Sequence, residues 1–268
     1  MNHLLRGHAP ITDAGWKLLD EEARERLTPG LAARRVVDFA GPAGWQHSAT
    51  NLGRVEQLDA GALQGVEARR RIVLPLVELE VPFTIDRREL SAGDRGAEDV
   101  DLEPLDDAAQ LLVEAENGAV FNGWAEGGFG GIGELTPHDA IRRGADFDDY
   151  PAHVARAVEL LLRNGVGGPY ALAVGREDYT HIVETAEHGG YPLFDHLRRI
   201  LDGPIVWTPG IDGAVVASLR GGDFLFDSGQ DIAVGYRSHD GDDLHLYLEE
   251  SFSFRVATPE AAVTITQV

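Results

Sequence analysis

The clearest periodic pattern of apolar residues lies in the middle of the chain, between Asp101 and Gly133. Apolar side chains recur there at steps of three and four residues, which places them on one face of a helix. Pro104 suits a first helical position, and nearby acidic residues favour the positive end of the helix dipole. The pattern predicts a helix over residues 104–124, roughly 30 Å long. Its inward residues are predicted to be Leu105, Ala108, Ala109, Leu112, Ala115, Ala119 and Val120.

A narrower apolar stripe near the start of the chain predicts another helix, over residues 12–27. Trp16, Leu19, Ala23 and Leu27 fall on one side of it, and charged residues fill the other side. So narrow a stripe is typical of a helix that lies across another surface and leaves one face in water.

Helical and strand patterns alternate in the second half of the chain. Helices are predicted at 153–164, 176–186 and 192–201, and strands at 170–174, 205–208 and 214–219. This alternation indicates a compact α/β subdomain over residues 137–220. Strict in-out alternation then predicts strands at 244–256 and 262–266. The first of these helices is predicted to bury Val154, Ala157, Val158, Leu161 and Leu162.

Two extended arms, 48–58 and 69–85, follow a short predicted strand at 34–39 and are joined by a small polar tip at 59–65. The second arm contains Pro75 and Pro82, which disfavour a central position in a sheet. So long a hairpin has little core of its own. We therefore expect it to pack against a neighbouring subunit.

The amino-acid composition argues against some classes of function. Acidic residues outnumber basic ones by 45 to 23, so the net charge of −22 argues against a nucleic-acid or anionic-membrane surface. An ordinary acidic protein is the first interpretation, and a high-salt cytosol that screens like charges is the alternative. The chain has no cysteine, no apolar run of membrane-spanning length and no signal-peptide core at its start.

Two groups of residues could form a binding or catalytic site, but each also has a simpler structural interpretation. A G-x-G-x-x-G run from Gly128 to Gly133 follows a helix instead of a strand, which favours a helix end and turn over a dinucleotide site. The cluster at 238–245 contains His239 and His245 and could bind a divalent cation, but it also has the form of a hairpin turn. No hydrolase, phosphate-loop or zinc-protease motif is present. We predict no catalytic residues, no metal and no cofactor, hence no enzyme.

The order of several segments resembles the encapsulins, also called the linocin or bacteriocin-type family, whose members are nanocompartment shell proteins. These stretches spread over essentially the whole chain. They are 4–16 (LLRGHAPITDAGW), 31–38 (LAARRVVD), 73–85 (VLPLVELEVPFTI), 95–96, 168–170, 188–192 (HGGYP), 220–223 (RGGD) and 229–236 (GQDIAVGY).

The resemblance implies an α+β protein with the HK97-like capsid fold of tailed phages. A peripheral domain would comprise residues 1–50, 72–136 and 221–268, an extended loop residues 51–71, and an axial domain residues 137–220. The subunits would form a closed icosahedral homo-oligomer, commonly of about 60 copies and sometimes larger. The shell would be a cytoplasmic nanocompartment without nucleic-acid or membrane partners.

The resemblance also implies two sites. Cargo enzymes, typically a dye-decolourising peroxidase or a ferritin-like iron oxidase, would bind a lumenal groove through a C-terminal targeting tail, and a fivefold pore would pass small molecules or ions. Acidic residues near the pore, Asp195 among them, would favour cations. The groove would be lined by Ile11, Trp16, Arg34, Val36, Asp38, Asp231 and Ile232, and the pore by Glu184, Glu187, His188, Gly189, Gly190 and Tyr191.

Two alternatives stay open. A tailed-phage or prophage capsid protein would share the fold but usually needs a scaffold or cleaved leader, which we do not expect here. An enzyme would have to use the loop from Gly128 to Gly133.

Overall fold

Helices and sheets both contribute to the fold. The computed structural model describes residues 3–59, 65–144, 147, 149–185 and 190–267. The α-helices of these residues are α1 Asp13–Gly30, α2 Arg87–Asp94, α3 Glu103–Asn122, α4 Ile132–Leu135, α5 Tyr150–Arg163, α6 Arg176–Glu184 and α7 Leu193–Leu201. The strands are β1 Asp38–Ala40, β2 Ala49–Leu58, β3 Ala68–Pro75, β4 Val77–Asp86, β5 Gly123–Trp124, β6 Phe129–Gly130, β7 Ile141–Arg143, β8 Tyr170–Val174, β9 Ile205–Trp207, β10 Ala214–Ser218, β11 Phe224–Ser228, β12 Ala233–Asp240, β13 Asp243–Val256 and β14 Ala262–Gln267.

The long central helix is confirmed as α3, and it ends where Gly123 adopts a positive φ of 90°. Six of the seven residues predicted to face inward are buried, but Ala115 is exposed. Glu116 and Asn117 take the inward positions at that level and are fully buried. The prediction for Ala115 was wrong because one turn of the inward face is polar, and apolar periodicity cannot detect buried polar residues.

The first sheet has the strand order β1-β11-β13-β12, and β4 also pairs with β13. Phe252 of β13 faces both Val77 of β4 and Ser228 of β11, so those two strands flank β13 on opposite sides. Within the described residues β4 pairs with β13 alone. Pro82 therefore lies in an edge strand, as its missing N–H predicts. One face of this sheet packs on α1, α2 and α3 through a core that includes Leu19, Leu90, Leu105, Leu112, Leu244 and Leu246.

The second sheet, β7-β14-β10-β8-β9, carries α5, α6 and α7 and forms the predicted α/β subdomain. This sheet also includes the last strand of the chain, because β14 pairs with β10, with Val216 opposite Val263. Because β10 is buried throughout, it needs hydrogen-bonding neighbours on both edges, and β8 and β14 supply them.

The hairpin of β2 and β3 is a two-stranded sheet of its own. The predicted second arm, 69–85, is divided at Leu76, after which β4 joins the first sheet instead. Several apolar hairpin side chains are exposed in the single subunit, with Val55 58% and Val73 45% accessible. Residues 60–64 of the tip lie outside the described residues.

Two smaller predictions were also wrong. Residues 34–39 are not one strand, because a 3-10 helix at Ala33–Arg35 precedes β1. Leu162 was predicted to be inward, yet 58% of it is exposed on α5. Both errors come from short apolar runs, whose periodicity does not distinguish a strand from a helix or a buried position from an exposed one.

Candidate functional site

A groove with a volume of about 270 Å³ runs beside α1. One wall is the face of α1, whose residues at steps of three and four line up along the cavity. The opposite wall is the turn that enters β12, together with β13. Polar and apolar groups contribute about equally to the surface of the groove. The lining residues are Asp20, Ala23, Arg24, Leu27, Thr28, Leu31, Arg34, Asp231, Ile232, Ala233, Val234 and Leu248.

Arg34 is the best-connected residue of this groove. Its guanidinium contacts Glu116 at 2.6 Å, Asp231 at 2.7 Å and Glu250 at 2.8 Å. It also lies over the ring of Phe39, 5.0 Å from the centroid. Burial lowers the pKa of Arg34, but the charges of Glu116 and Glu250 and the hydrogen bond to Asp231 outweigh it and raise the pKa. A permanently charged arginine therefore holds the groove wall in place.

The segment before α1 contacts both walls of the groove. Arg6 forms a two-point ion pair with Asp20, and its Nε donates a 2.8 Å hydrogen bond to the carbonyl oxygen of Val234. The same guanidinium covers the ring of Trp16 at 4.6 Å. Trp16 is consequently buried, and the half-buried Ile11 packs on the same core.

The structure brings three of the seven predicted groove residues together, namely Arg34, Asp231 and Ile232. Val36 is buried, and it and Asp38 line a separate depression of about 90 Å³. There the carboxylate of Asp38 accepts a 2.5 Å hydrogen bond from the backbone of Gly222. The wall residues Leu27 and Leu31 were missed as groove residues, although the apolar stripe of α1 continues to Leu31.

Only part of the predicted pore turn is described, since Glu187, His188 and Gly189 lie outside the described residues. Glu184 contacts Nδ1 of His181 at 3.0 Å. Arg199 lies 5.2 Å from the ring centroid of Tyr191. A depression of about 630 Å³ is lined there by Tyr191, Asp195, Arg198, Arg199, Asp202 and Gly203. Two acidic and two basic side chains line it, so Asp195 has arginines beside it.

The glycine run forms a small hairpin. β5 and β6 pair across it, and the N–H of Gly131 donates to Glu134 at the start of α4. A Cβ atom on Gly131 would lie 2.2 Å from the backbone nitrogen of Gly123. Close backbone packing accounts for this glycine without a bound phosphate.

The histidine cluster is the hairpin turn between β12 and β13. His239 is paired with Leu244, and His245 with Ser238, so the two rings point to opposite faces. His239 Nδ1 hydrogen-bonds Tyr236, and His245 Nδ1 hydrogen-bonds Thr84. Within the described part of the chain no group of three or more histidine and carboxylate side chains is placed to hold a metal ion.

None of the helices in the described ranges is long and apolar enough to cross a membrane.

Comparison with known proteins gives matches over most of the chain. The family model described as "Encapsulating protein for peroxidase" matches residues 1–253. A type 1 encapsulin shell protein of Rhodospirillum rubrum is 48% identical, covering 99% of this chain and 96% of that protein. The virus-like particle of Pyrococcus furiosus has a similar fold, with a TM-score of 0.62, 20% identity, and coverage of 93% of this chain and 98% of that one. A structure from Mycobacterium phage Bobi gives a TM-score of 0.55 at 12% identity, covering 89% and 91%.

Proposed function

The chain belongs to the encapsulin shell proteins, and from this premise we propose that it is the repeating subunit of a closed icosahedral shell that encloses cargo enzymes. Its HK97-like capsid fold is that of proteins which assemble as many identical copies. Each copy would contribute its β2–β3 hairpin to a neighbour, a head-to-tail contact that closes by repeated rotation. We expect about 60 subunits, or a larger icosahedral number, in a cytoplasmic shell.

The groove beside α1 carries the cargo part of this proposal. Its apolar walls and fixed charges suit an extended peptide, whose alternate side chains enter pockets while its backbone bonds to the rim. About eight residues of extended chain span roughly 27 Å. A tail of that length would pass Arg34, Asp231 and Ile232 and continue past the separate positions of Ile11, Trp16, Val36 and Asp38. The cargo would be a dye-decolourising peroxidase or a ferritin-like iron oxidase bound by its C-terminal tail.

Co-expression tests this assignment. A dye-decolourising peroxidase and a ferritin-like iron oxidase are each produced with the shell protein, with and without their C-terminal tails. We expect at least one enzyme to co-purify inside shells in a tail-dependent manner. Ile232→Glu should give intact shells without cargo, because a charge in the apolar wall opposes docking. Glu25→Ala, at an exposed position of α1 that does not line the groove, is the control and should load normally. Equal loading of Ile232→Glu and the parent would overturn the groove assignment.

A pore around residues 184–191 would admit small molecules or ions to the enclosed enzyme. Glu184 and Asp195 would favour cations such as ferrous iron, provided that they outweigh Arg198 and Arg199 beside them. Ferrous iron entry is measured with an iron-sensitive dye trapped in the shell. We expect Glu184→Gln with Asp195→Asn to slow entry, and the exposed Glu159→Gln to leave it unchanged. Unaltered entry in the double variant would count against acidic selection at this turn.

The role we propose is structural, with any turnover performed by the cargo. A phage capsid protein shares the fold, but the family match over residues 1–253 and the 48% identity to an encapsulin shell protein favour the compartment. Neither the glycine hairpin nor the histidine turn has a geometry that supports an enzyme.

A further inference from the structure

Four charged side chains from separate parts of the chain meet under the groove. Arg34 follows α1, Glu116 lies on α3, Asp231 precedes β12 and Glu250 lies on β13. Nη2 of Arg34 contacts the Oε2 atoms of both Glu116 and Glu250, at 2.6 and 2.8 Å. The side chain of Glu116 is fully inaccessible and that of Glu250 is 1% accessible, whereas Asp231 keeps 46% of its side chain in contact with solvent.

The charges of this cluster do not balance. One guanidinium faces three carboxyl groups, and two of the three are buried. Isolated buried charges are costly, and a buried group normally changes its protonation state instead of remaining ionised without compensation. Two ionised glutamates would leave this site with uncompensated negative charge.

The hydrogen bonds show where the imbalance lies. Arg34 occupies Oε2 of both glutamates, while Oε1 of Glu116 and Oε1 of Glu250 are buried and accept no hydrogen bond from any described residue. An ionised carboxylate can only accept hydrogen bonds, whereas a protonated one also donates. A single proton between the two carboxyl groups would satisfy both orphaned oxygens and remove one buried charge.

We propose that Glu116 and Glu250 share one proton. This proton stabilises the junction of three parts of the chain, namely α3, the segment that follows α1, and β13. The junction weakens when the proton is lost at alkaline pH. The geometry supports the sharing, since both carboxyl groups contact the same nitrogen of Arg34 and are thereby held beside each other. The proposal does not depend on what the groove binds.

Every charged group that faces Glu250 acts on its protonation. Burial is the largest effect and raises the pKa of Glu250 well above 4.5; the charge of Glu116 raises it further, Arg34 lowers it, and Asp231 raises it. Leu79, its cross-strand neighbour on β4, carries no charge. A carboxyl pKa that is higher in the folded state stabilises the fold fully at acidic pH. That contribution is lost as pH rises from about 4.5 towards the raised pKa of the folded state. Over this range the folded-to-unfolded ratio falls about tenfold for each pH unit.

Infrared spectroscopy of the assembled wild-type protein in deuterated buffer tests the proton directly. A protonated-carboxyl band is expected at neutral pH, where ordinary glutamates have ionised. Glu250→Gln should remove the band, and the exposed Glu25→Gln should keep it. Absence of the band from the wild type at neutral pH would overturn the proposal without any variant.

The pH dependence of thermal unfolding tests the consequence. The midpoint of wild-type shells is expected to fall as pH rises above about 5. Glu250→Gln should flatten this fall, because its amide donates to Glu116, accepts from Arg34 and does not titrate. Glu25→Gln should keep the wild-type slope. If Glu250→Gln fails to assemble, Glu116→Gln should reduce the pH dependence in the same way, because it replaces the other carboxyl group of the pair by an amide. If a variant assembles and its unfolding midpoint keeps the wild-type dependence on pH, the proposal that the shared proton stabilises this junction is wrong.

Discussion

The side chain of Asn117 joins α3 to the second sheet, because its Nδ2 donates a 2.9 Å hydrogen bond to the carbonyl oxygen of Pro209, just after β9. The same nitrogen donates to the carbonyl oxygen of Gly30 at the end of α1, also at 2.9 Å. Its Oδ1 accepts a hydrogen bond from the backbone N–H of Ala33. One fully buried amide thus satisfies three backbone groups from two parts of the chain, which relates α1 and α3 to the second sheet.

Removing this amide should destabilise the subunit. Asn117→Ala removes the partner of the buried Pro209 carbonyl and of the Ala33 N–H, at an expected cost of about 2–4 kcal/mol. Asn122→Ala is the matched control, because Asn122 is exposed and makes one 3.2 Å hydrogen bond to Gly210 of the same loop. Thermal unfolding of both variants measures the difference. Equal midpoints for the two would mean that Asn117 does not hold the two parts together.

The ion pair of Arg143 and Asp178 is predicted to be the costliest to break. Both side chains are buried, their two-point contact includes a 2.9 Å hydrogen bond from Nε, and Tyr150 also donates to Asp178. Asp178→Ala leaves a buried guanidinium without its carboxylate, and we expect a loss of about 3–5 kcal/mol in the free energy of unfolding. Chemical denaturation of the dissociated subunit provides the measurement.

Glu177 offers the control for that prediction. It is adjacent in sequence, but its side chain is 63% exposed and lies 4.0 Å from Arg143. Glu177→Ala should change stability by less than about 0.5 kcal/mol. Comparable losses in both variants would indicate a general effect of charge in α6 instead of the buried pair.

Charging the hairpin should block assembly and leave the subunit folded. Val55 and Ile72 are exposed on β2 and β3, and their burial in the shell would stabilise a subunit contact. Val55→Asp or Ile72→Asp is expected to reduce shells severely, as seen by size-exclusion chromatography and electron microscopy. Far-ultraviolet circular dichroism should stay unchanged, because neither side chain contributes to the core of its own subunit. Normal shell yields from both variants would rule out these positions as contacts.

Gly131 should tolerate no side chain. A Cβ atom there would meet Gly123, Asn122 and Phe121 at distances of 2.2 to 2.7 Å, all of them backbone atoms. Gly131→Ala is expected to destabilise the subunit by more than about 2 kcal/mol. Gly7→Ala, where a Cβ meets open space and φ is not positive, is the control. A neutral Gly131→Ala would reopen the question of what this glycine run is for.

Local pattern accounts for the elements that were predicted well. Strand β8 has the predicted bounds, and α3 begins one residue and ends two residues from its predicted limits. The helix repeats one period over many residues and β8 is a short continuous apolar run, so in both cases neighbours in sequence are sufficient to specify the element. The three groove residues that lie together, Arg34, Asp231 and Ile232, were predicted from the family resemblance and not from periodicity.

The sequence by itself determined the α+β class, the long helix, the separate hairpin and the absence of known catalytic motifs. Only the tertiary structure decided that Glu116 and Asn117 face inward while Ala115 faces out, and that β14 belongs to the second sheet. The reason is physical: a polar residue is stable inside only when its partner is present. The partners of Glu116 and Asn117 lie more than 80 residues away in the chain.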